Sequence, residues 1–288
     1  MAPPLQHHPQ LRKAIRYFQG VPPWALLSLV LNGLLFVTVL VTLRQLSLSS
    51  QTVLSQSNAF ASDLDGSTTT VAPELGQRHT LDYQQWVALL QAEAEAAEAI
   101  NAPRQTVLLG DSLTLWFPPE MLPGRKTWLN QAISGENSSG LRNRIHLLDN
   151  NTLEAAFIMV GINDLIWGGS DADLVYNIRR IVGDLQQAHP ELRIVVQSVL
   201  PHGGARASWE GRDRLADIPP GQIQAINQQL RLLAVEMGVE FLDLYPLFAD
   251  GDGYLRPDLS TDGLHLNQEG YRVWRTALAL INETDFQP

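Results

Sequence analysis

The 288-residue sequence contains no cysteine, and this absence excludes several kinds of chemistry. Without cysteine the chain forms no disulfide bond, no thiolate zinc site, no cysteine nucleophile and no cysteine-linked lipid anchor. Positive charge is also scarce, with 20 Lys and Arg against 30 Asp and Glu and a net charge of −10. An acidic chain attracts nucleic acid poorly, so we expect no nucleic-acid partner.

One long apolar run stands out in a chain that is 45% hydrophobic and 17% charged, a composition that excludes a wholly disordered or fibrous protein. The run, Trp24 to Leu43, has 20 residues and no charge. A helix of that length matches the roughly 30 Å hydrocarbon core of a bilayer. Three basic residues precede it and one, Arg44, follows it closely, so the asymmetry predicts a cytoplasmic N-terminus and an exported remainder.

Residues 24–43 are therefore predicted to be a transmembrane signal-anchor helix, with a cleaved signal peptide as the main alternative. The apolar region of a signal peptide spans only about 7 to 15 residues. The first Ala-x-Ala pattern, Ala59–Ala61, lies well beyond the run. A buried helix of a soluble core is the third possibility, which apolarity all around the helix disfavours. Retention places the rest of the chain in the periplasm or outside the cell, whereas cleavage would release it.

The apolar run divides the chain into four parts. Residues 1–23 form a predicted cytoplasmic segment, and residues 44–80, rich in Ser, Thr, Gln and Ala without sustained periodicity, form a predicted flexible linker. Residues 81–288 form one predicted domain. Lys and Arg outnumber Asp and Glu by 5 to 3 before Thr80, whereas the ratio is 15 to 27 from Thr80 onward. The predicted exported domain is therefore the acidic part.

Short β-rich runs alternate with longer segments of helical periodicity in residues 81–288, which is typical of βα units around a parallel sheet. The pattern predicts a five-stranded, three-layer α/β/α domain. Strands are predicted at Thr106–Leu109, Thr127–Ile133, Ala155–Val160, Arg193–Val199 and Val239–Leu244. Helices are predicted at Leu81–Ile100, Ser139–Leu148, Asp171–His189, Gly221–Met237 and Gln268–Ile281.

Small polar motifs follow the first three predicted strands. These are Gly-Asp-Ser-Leu from Gly110, Gly-Glu-Asn from Gly135 and Gly-Ile-Asn-Asp from Gly161; a fourth, Asp-Gly-Leu-His from Asp262, precedes the last helix. Ligand sites of open parallel sheets lie at the carboxyl ends of the strands. Any one such motif is more often a helix N-cap, but together they predict a site.

The motifs supply each role needed for acyl transfer. A serine hydroxyl is a poor nucleophile without a base, and His265 can be that base for Ser112, with Asp262 orienting the imidazole ring. A tetrahedral oxyanion needs hydrogen-bond donors. The backbone N–H groups of Ser112 and Gly135 and the side-chain amide of Asn163 can provide them.

In order and content the four motifs resemble the GDSL, or SGNH, hydrolase family over about Gln105 to Ile281. The resemblance implies a flavodoxin-like α/β/α fold and hydrolysis of carboxylic esters or thioesters without metal or organic cofactor. It implies the same roles as the chemistry does: the nucleophile Ser112, the oxyanion-hole residues Ser112, Gly135 and Asn163, and the triad residues Asp262 and His265. The second motif departs mildly, because Glu136 is followed by Asn137 where Thr or Ser is commoner in the family.

The sequence thus predicts a membrane-anchored serine esterase acting on a small acyl ester, of carbohydrate or lysophospholipid type. Two alternatives stay open, an O-acyltransferase acting on an envelope polysaccharide and a catalytically idle, anchored binding module. Neither the acyl-chain length nor the oligomeric state follows from residue types.

Several further residues have competing interpretations. His202 is either a substrate contact or an ordinary loop histidine, and Trp167 either lines the substrate pocket or fills the core. The polar stretch 203–220 is either a lid or specificity loop, or a mobile surface loop. Asp111 and Asp164, beside the motif residues, are expected to brace the turns through hydrogen bonds.

Overall fold

Five parallel strands form the centre of the structure, a computed structural model that describes residues 81–283. The strands are β1 Gln105–Gly110, β2 Thr127–Ala132, β3 Leu153–Met159, β4 Arg193–Gln197 and β5 Glu240–Leu242. Their order across the sheet is β2-β1-β3-β4-β5, and every neighbouring pair is parallel. This is the flavodoxin-like order. The prediction of five parallel strands is confirmed.

Helices connect the strands. The α-helices are α1 Tyr83–Ile100, α2 Ser112–Leu115, α3 Ser138–Arg144, α4 Ile162–Ile166, α5 Asp171–Ala188, α6 Arg212–Ala216, α7 Pro220–Met237, α8 Tyr245–Phe248 and α9 Gln268–Glu283. Single turns of 3₁₀-helix lie at Pro119–Met121, Ile145–Leu148, Gly204–Arg206 and Pro257–Leu259. The predicted helix Ser139–Leu148 is therefore α3 followed by a 3₁₀ turn, and α2, α4, α6 and α8 are too short for a periodic pattern to predict.

The sheet is covered on both faces. Successive β4 residues point to opposite faces, yet Ile194, Val195 and Val196 are each at most 2% exposed. From one face Arg193 donates to the Ile281 carbonyl, 2.8 Å away in α9. The helices α3, α5 and α7 pack side by side, and α7 also contacts β4 and β5. Helical layers on both faces explain why the strands are almost continuously apolar.

The predicted strands β4 and β5 each end earlier in the structure than in the prediction. Side chains there take the backbone hydrogen bonds that continued strand pairing would have formed. β4 ends at Gln197, and the backbone of Val199 bonds to the side-chain amide of Asn227 in α7, which accepts from the Val199 N–H at 2.8 Å and donates to the Val199 carbonyl at 2.9 Å. The Ser198 hydroxyl accepts from the N–H groups of Leu244 and Tyr245, each at 2.9 Å, where β5 was predicted to continue. Asn and Ser side chains compete with sheet hydrogen bonds in this way.

The predicted membrane-associated part is not among the described residues. The signal-anchor helix at 24–43, the cytoplasmic segment 1–23 and the linker 44–80 all lie outside 81–283. Within 81–283, no helix combines the length and apolarity needed to cross a bilayer.

Candidate active site

Three of the four motifs meet at the carboxyl edge of the sheet because their strands are neighbours. β1 lies between β2 and β3, with Gly110 paired to Ala132 on one side and to Met159 on the other. The residues that follow these strand ends include Ser112, Gly135 and Asn163. The structure therefore brings the first three motifs to one edge, as the topology of a parallel sheet requires.

Ser112 is the first residue of α2. Asp111 caps this helix, because one of its carboxylate oxygens accepts from the Leu113 N–H at 3.0 Å. The first N–H groups of a helix have no acceptor in a preceding turn, so the Ser112 N–H is available to a ligand. The Ser112 Oγ lies 3.1 Å from His265 Nε2, and the serine is 7% exposed. The serine is thus nearly buried, and its hydroxyl lies within hydrogen-bond distance of the histidine ring.

His265 is held in turn by Asp262. The His265 Nδ1 lies 2.8 Å from one Asp262 carboxylate oxygen, and the other oxygen accepts from the N–H groups of Leu264 at 2.9 Å and His265 at 2.8 Å. Burial alone would raise the pKa of Asp262, but these hydrogen bonds outweigh it, so the pKa lies below its usual value. An ionised carboxylate favours the tautomer that carries its proton on Nδ1, which leaves the Nε2 lone pair facing Ser112.

The loop that carries Asp262 and His265 is held by hydrogen bonds among its own residues. The Ser260 hydroxyl donates to the His265 carbonyl at 2.7 Å and accepts from the Gly263 N–H at 2.8 Å. The Thr261 N–H donates to the same carbonyl at 3.0 Å. These bonds close the loop into a tight turn, so the histidine and the carboxylate move as one unit.

Two more hydrogen-bond donors lie at the edges of the site. Gly135 adopts φ +77°, a left-handed conformation that glycine reaches without strain, and it is exposed. The Asn163 amide donates to the Glu136 carbonyl at 3.0 Å, which orients the side chain and leaves its second N–H free to meet a ligand. The structure therefore places both predicted oxyanion-hole residues beside the strand that leads to Ser112.

A buried hydrogen-bond network joins the two loops that carry these donors. The Asp164 carboxylate accepts from the N–H of Ser138 at 2.9 Å and from its hydroxyl at 2.5 Å. The Asn177 amide of α5 donates to the same hydroxyl at 3.0 Å. Burial raises the pKa of Asp164, an effect that the hydrogen bonds from Ser138 oppose. The predicted bracing role of Asp164 agrees with these contacts.

Glu136, in the motif that departs from the family pattern, forms a buried ion pair with Arg144. The guanidinium donates to both carboxylate oxygens, at 2.7 and 2.5 Å, and both side chains are at most 3% exposed. Arg144 also donates to the Gln131 carbonyl of β2 at 2.8 Å. Burial raises the pKa of Glu136 despite the arginine. Breaking a buried pair of this kind usually costs about 3–5 kcal/mol, so it fixes the loop after Gly135 firmly.

The exposure of His202 and Trp167 bears on the competing interpretations of these two residues. His202 is 1% exposed, its Nδ1 accepts from the Gly204 N–H at 2.9 Å, and burial lowers its pKa to about 4. A neutral, buried ring of this kind is typical of a structural residue, which favours that interpretation over a substrate contact. Trp167 is 59% exposed and so does not fill the core.

The stretch 203–220 is tied to the loop that carries the histidine. The Gly203 N–H donates to the Gly263 carbonyl at 2.6 Å, and the N–H groups of Ser208 and Trp209 donate to the Asp262 carbonyl at 2.8 and 3.0 Å. The stretch contains a 3₁₀ turn and α6, so it is an ordered segment and not an irregular surface loop.

Two residues beside the site were not predicted. The Trp116 ring lies 4.3 Å from the His265 ring, centroid to centroid, and the Arg214 guanidinium lies 4.1 Å from the centre of the Trp167 ring. Spacing offered one signal, because each tryptophan follows a motif residue by four positions, Trp116 after Ser112 and Trp167 after Asn163. Arg214 had no comparable signal, since its position depends on how the stretch 203–220 folds.

Comparisons with known proteins concern the family and the fold of this chain. A model of the GDSL-like Lipase/Acylhydrolase family matches residues 108–273. N-acylneuraminate cytidylyltransferase from Streptococcus agalactiae serotype V is 27% identical over 170 residues, which is 59% of this chain and 36% of that protein. The chain thus spans about a third of the length of the curated relatives it matches.

Solved structures share the fold. A GDSL-like lipase from Bacteroides thetaiotaomicron superimposes with a TM-score of 0.59 and 20% identity, covering 71% of this chain and 100% of that one. A lipase/acylhydrolase from Enterococcus faecalis has a TM-score of 0.50 and 16% identity, covering 64% of this chain and 98% of that one. At these identities the likeness concerns the fold alone.

Asp111 generates a testable prediction about stability. Its burial raises its pKa to about 7, against about 3.9 in an unfolded chain. As the pH rises from about 4 to 7, the unfolded chain releases this proton and the folded chain keeps it, so wild type loses roughly 4 kcal/mol of unfolding free energy. Asp111→Asn stays neutral and can keep the Leu113 hydrogen bond, so it avoids this loss.

Urea unfolding of wild type and Asp111→Asn at pH 4, 6 and 8 measures the effect. The variant should gain steadily on wild type as the pH rises, whereas Asp213→Asn, on the exposed surface of α6, should follow wild type throughout. Parallel curves for wild type and Asp111→Asn would show that folding does not raise the pKa of Asp111.

Proposed function

We propose that this chain, which belongs to the GDSL-like lipase/acylhydrolase family, is a carboxylic ester hydrolase and that Ser112, His265 and Asp262 perform its chemistry. The observation that carries the proposal is the continuous hydrogen-bonded chain from Ser112 Oγ to His265 Nε2 at 3.1 Å and from His265 Nδ1 to Asp262 at 2.8 Å. This is the arrangement of nucleophile, base and orienting carboxylate that acyl transfer needs.

In the first half of the reaction Ser112 Oγ attacks the ester carbonyl and His265 Nε2 takes the hydroxyl proton. The tetrahedral intermediate collapses as the bond to the alcohol oxygen breaks, and His265 returns the proton to the departing alcohol. In the second half His265 takes a proton from water, the resulting hydroxide attacks the acyl-enzyme, and Ser112 leaves with that proton. The acid is released and the enzyme is restored.

The negative charge that develops on the carbonyl oxygen needs preorganised donors. We assign this role to the backbone N–H groups of Ser112 and Gly135 and to the amide of Asn163. The Glu136–Arg144 ion pair and the Asp164–Ser138 hydrogen bonds support the assignment, because they fix the two loops before substrate arrives. Donors that need no reorganisation contribute most to catalysis of this kind.

For the substrate we propose an acyl ester of carbohydrate or lysophospholipid type. The curated relatives carry the name N-acylneuraminate cytidylyltransferase, and an N-acylneuraminate is an acylated sugar. That name supports the carbohydrate class, although the match covers only 36% of those proteins.

We also propose that residues 24–43 anchor the enzyme in a membrane, with the catalytic domain in the periplasm or outside the cell. The uncharged 20-residue run and the basic residues before it support this placement. The cleaved signal peptide is the competing possibility, in which the same domain would be secreted.

The serine assignment is tested by Ser112→Ala. We expect kcat/KM for 4-nitrophenyl acetate to fall at least about 10⁴-fold, because Ser112 is the one hydroxyl within residues 81–283 that pairs with His265 Nε2. Ser139→Ala is the matched control, since Ser139 is an exposed serine near the Gly135 loop, and it should retain wild-type activity. If Ser112→Ala folds normally and keeps a tenth of the wild-type rate, Ser112 is not the nucleophile.

The anchor is tested by fractionating bacterial cells that produce the full chain. An uncleaved chain should stay in the membrane pellet after alkaline carbonate extraction, and Leu34→Asp/Leu35→Asp should move it out, because each charge at a helix centre costs about 2.5–3.5 kcal/mol of insertion. A soluble, full-length wild-type chain would contradict the anchor. A soluble chain with a new N-terminus beyond residue 43 would establish cleavage.

A further inference from the structure

Exposed aromatic rings are unusual in the part of the chain that forms the site. All five residues of α4 are buried, yet Trp167, which directly follows them, is 59% exposed. Trp116 directly follows α2, whose first three residues are buried, and is 37% exposed. A large apolar ring left in water forgoes burial that is worth about 1.5–3 kcal/mol for a big side chain. Exposed rings beside a site are therefore candidate ligand contacts.

Each tryptophan lies one helical turn beyond a residue of the proposed chemistry. The Trp116 N–H donates to the Ser112 carbonyl at 3.1 Å, and the Trp167 N–H donates to the Asn163 carbonyl at 3.1 Å. The helices α2 and α4 follow neighbouring strands, so both rings lie at the carboxyl edge of the sheet.

Arg214 connects Trp167 to the stretch 203–220. The stretch 203–220 is bonded to the Asp262 carbonyl through Ser208 and Trp209, and α6 begins three residues after Trp209. The Arg214 guanidinium in α6 then lies 4.1 Å from the centre of the Trp167 ring. The stretch 203–220 therefore extends from Asp262, to which it is hydrogen-bonded, to Trp167, which it contacts through Arg214.

The guanidinium keeps its hydrogen-bonding capacity. Two other arginines that lie over aromatic rings, Arg206 and Arg231, also form ion pairs with Asp250 and Asp243. Among residues 81–283, Arg214 has no carboxylate partner. Arginine offers five N–H donors, so a guanidinium held only by its flat face presents these donors to a ligand.

The Trp167 ring and the Arg214 guanidinium together indicate which kind of alcohol the substrate ester contains. A cationic alcohol such as choline would be repelled by the positive charge of Arg214, whereas a neutral alcohol would not. A sugar ring offers C–H groups to an indole and oxygens to a guanidinium.

We propose that Trp167 and Arg214 form a subsite for a carbohydrate alcohol, so that the enzyme removes acyl groups from sugars. This inference rests on the proposed esterase function and narrows its substrate class. The sugar ring lies against Trp167 and accepts hydrogen bonds from Arg214, and its ester carbonyl reaches Ser112. Trp116, beside His265, is the second aromatic surface of the same subsite.

The test compares two acetate esters, methyl 6-O-acetyl-α-D-glucopyranoside and the acyclic 2-methoxyethyl acetate, with the full chain and pH-stat detection of released acetic acid. We expect Trp167→Ala to raise KM for the sugar ester about tenfold while kcat changes less than about twofold, because a remote ring contact is made equally in the ground and transition states. The ratio of kcat/KM for sugar over acyclic ester should fall by about the same factor. Arg214→Ala should lower that ratio in the same direction.

Tyr176→Ala is the matched control, since Tyr176 is 51% exposed and also lies beneath an arginine, Arg142, but on α5. Its ratio should equal that of wild type. A ratio unchanged within twofold in the Trp167→Ala/Arg214→Ala double variant would overturn the subsite while leaving the esterase intact. Faster turnover of acetylcholine than of the sugar ester would overturn it in favour of a cationic alcohol. If wild type hydrolyses none of these esters, the proposed function fails, and the subsite with it.

Discussion

The 3.1 Å contact between Ser112 Oγ and His265 Nε2 joins residues 153 positions apart in the chain. The proposed chemistry requires this contact, because a serine hydroxyl needs a base to become a nucleophile. The contact requires β1 to end beside the loop that precedes α9. On the serine side, the Asp111 cap fixes the start of α2. On the histidine side, Asp262 holds both the imidazole and the backbone of the loop. The stretch 203–220 adds hydrogen bonds to the same loop, so the histidine is supported by two separate segments.

Buried charge is the second constraint. Asp111, Glu136 and Asp164 all lie beside the carboxyl edge of the sheet, and burial raises the pKa of each. Glu136 is compensated by Arg144, whereas Asp164 relies on hydrogen bonds from Ser138. Such an arrangement lowers stability compared with an apolar core, yet it gives the loops after β2 and β3 a single conformation. An enzyme that stabilises an oxyanion by fixed donors needs that rigidity.

The sheet and the placement of the motif residues could be predicted because they depend on local patterns. Aliphatic runs mark buried parallel strands, and a strand followed by Gly and a polar residue marks the edge where Ser112, Gly135 and Asn163 lie. The ends of β4 and β5 could not be predicted, because the side chains of Asn227 and Ser198 bond to backbone groups only once the chain is folded. The burial of His202 could not be predicted either, because it depends on how distant parts of the chain fold around the ring. The Arg214–Trp167 contact depends on tertiary structure in the same way.

The central claim is that Ser112 is a nucleophile activated by His265. Intact-protein mass spectrometry after exposure of the full chain to a fluorophosphonate tests it most directly, because the reagent is attacked by activated serine hydroxyls and leaves a covalent adduct. We expect one adduct per chain, mapped by peptide sequencing to Ser112, and much slower labelling of His265→Gln, in which the base is absent. An unlabelled wild-type chain, or an adduct on another serine at the same rate in both proteins, would contradict it.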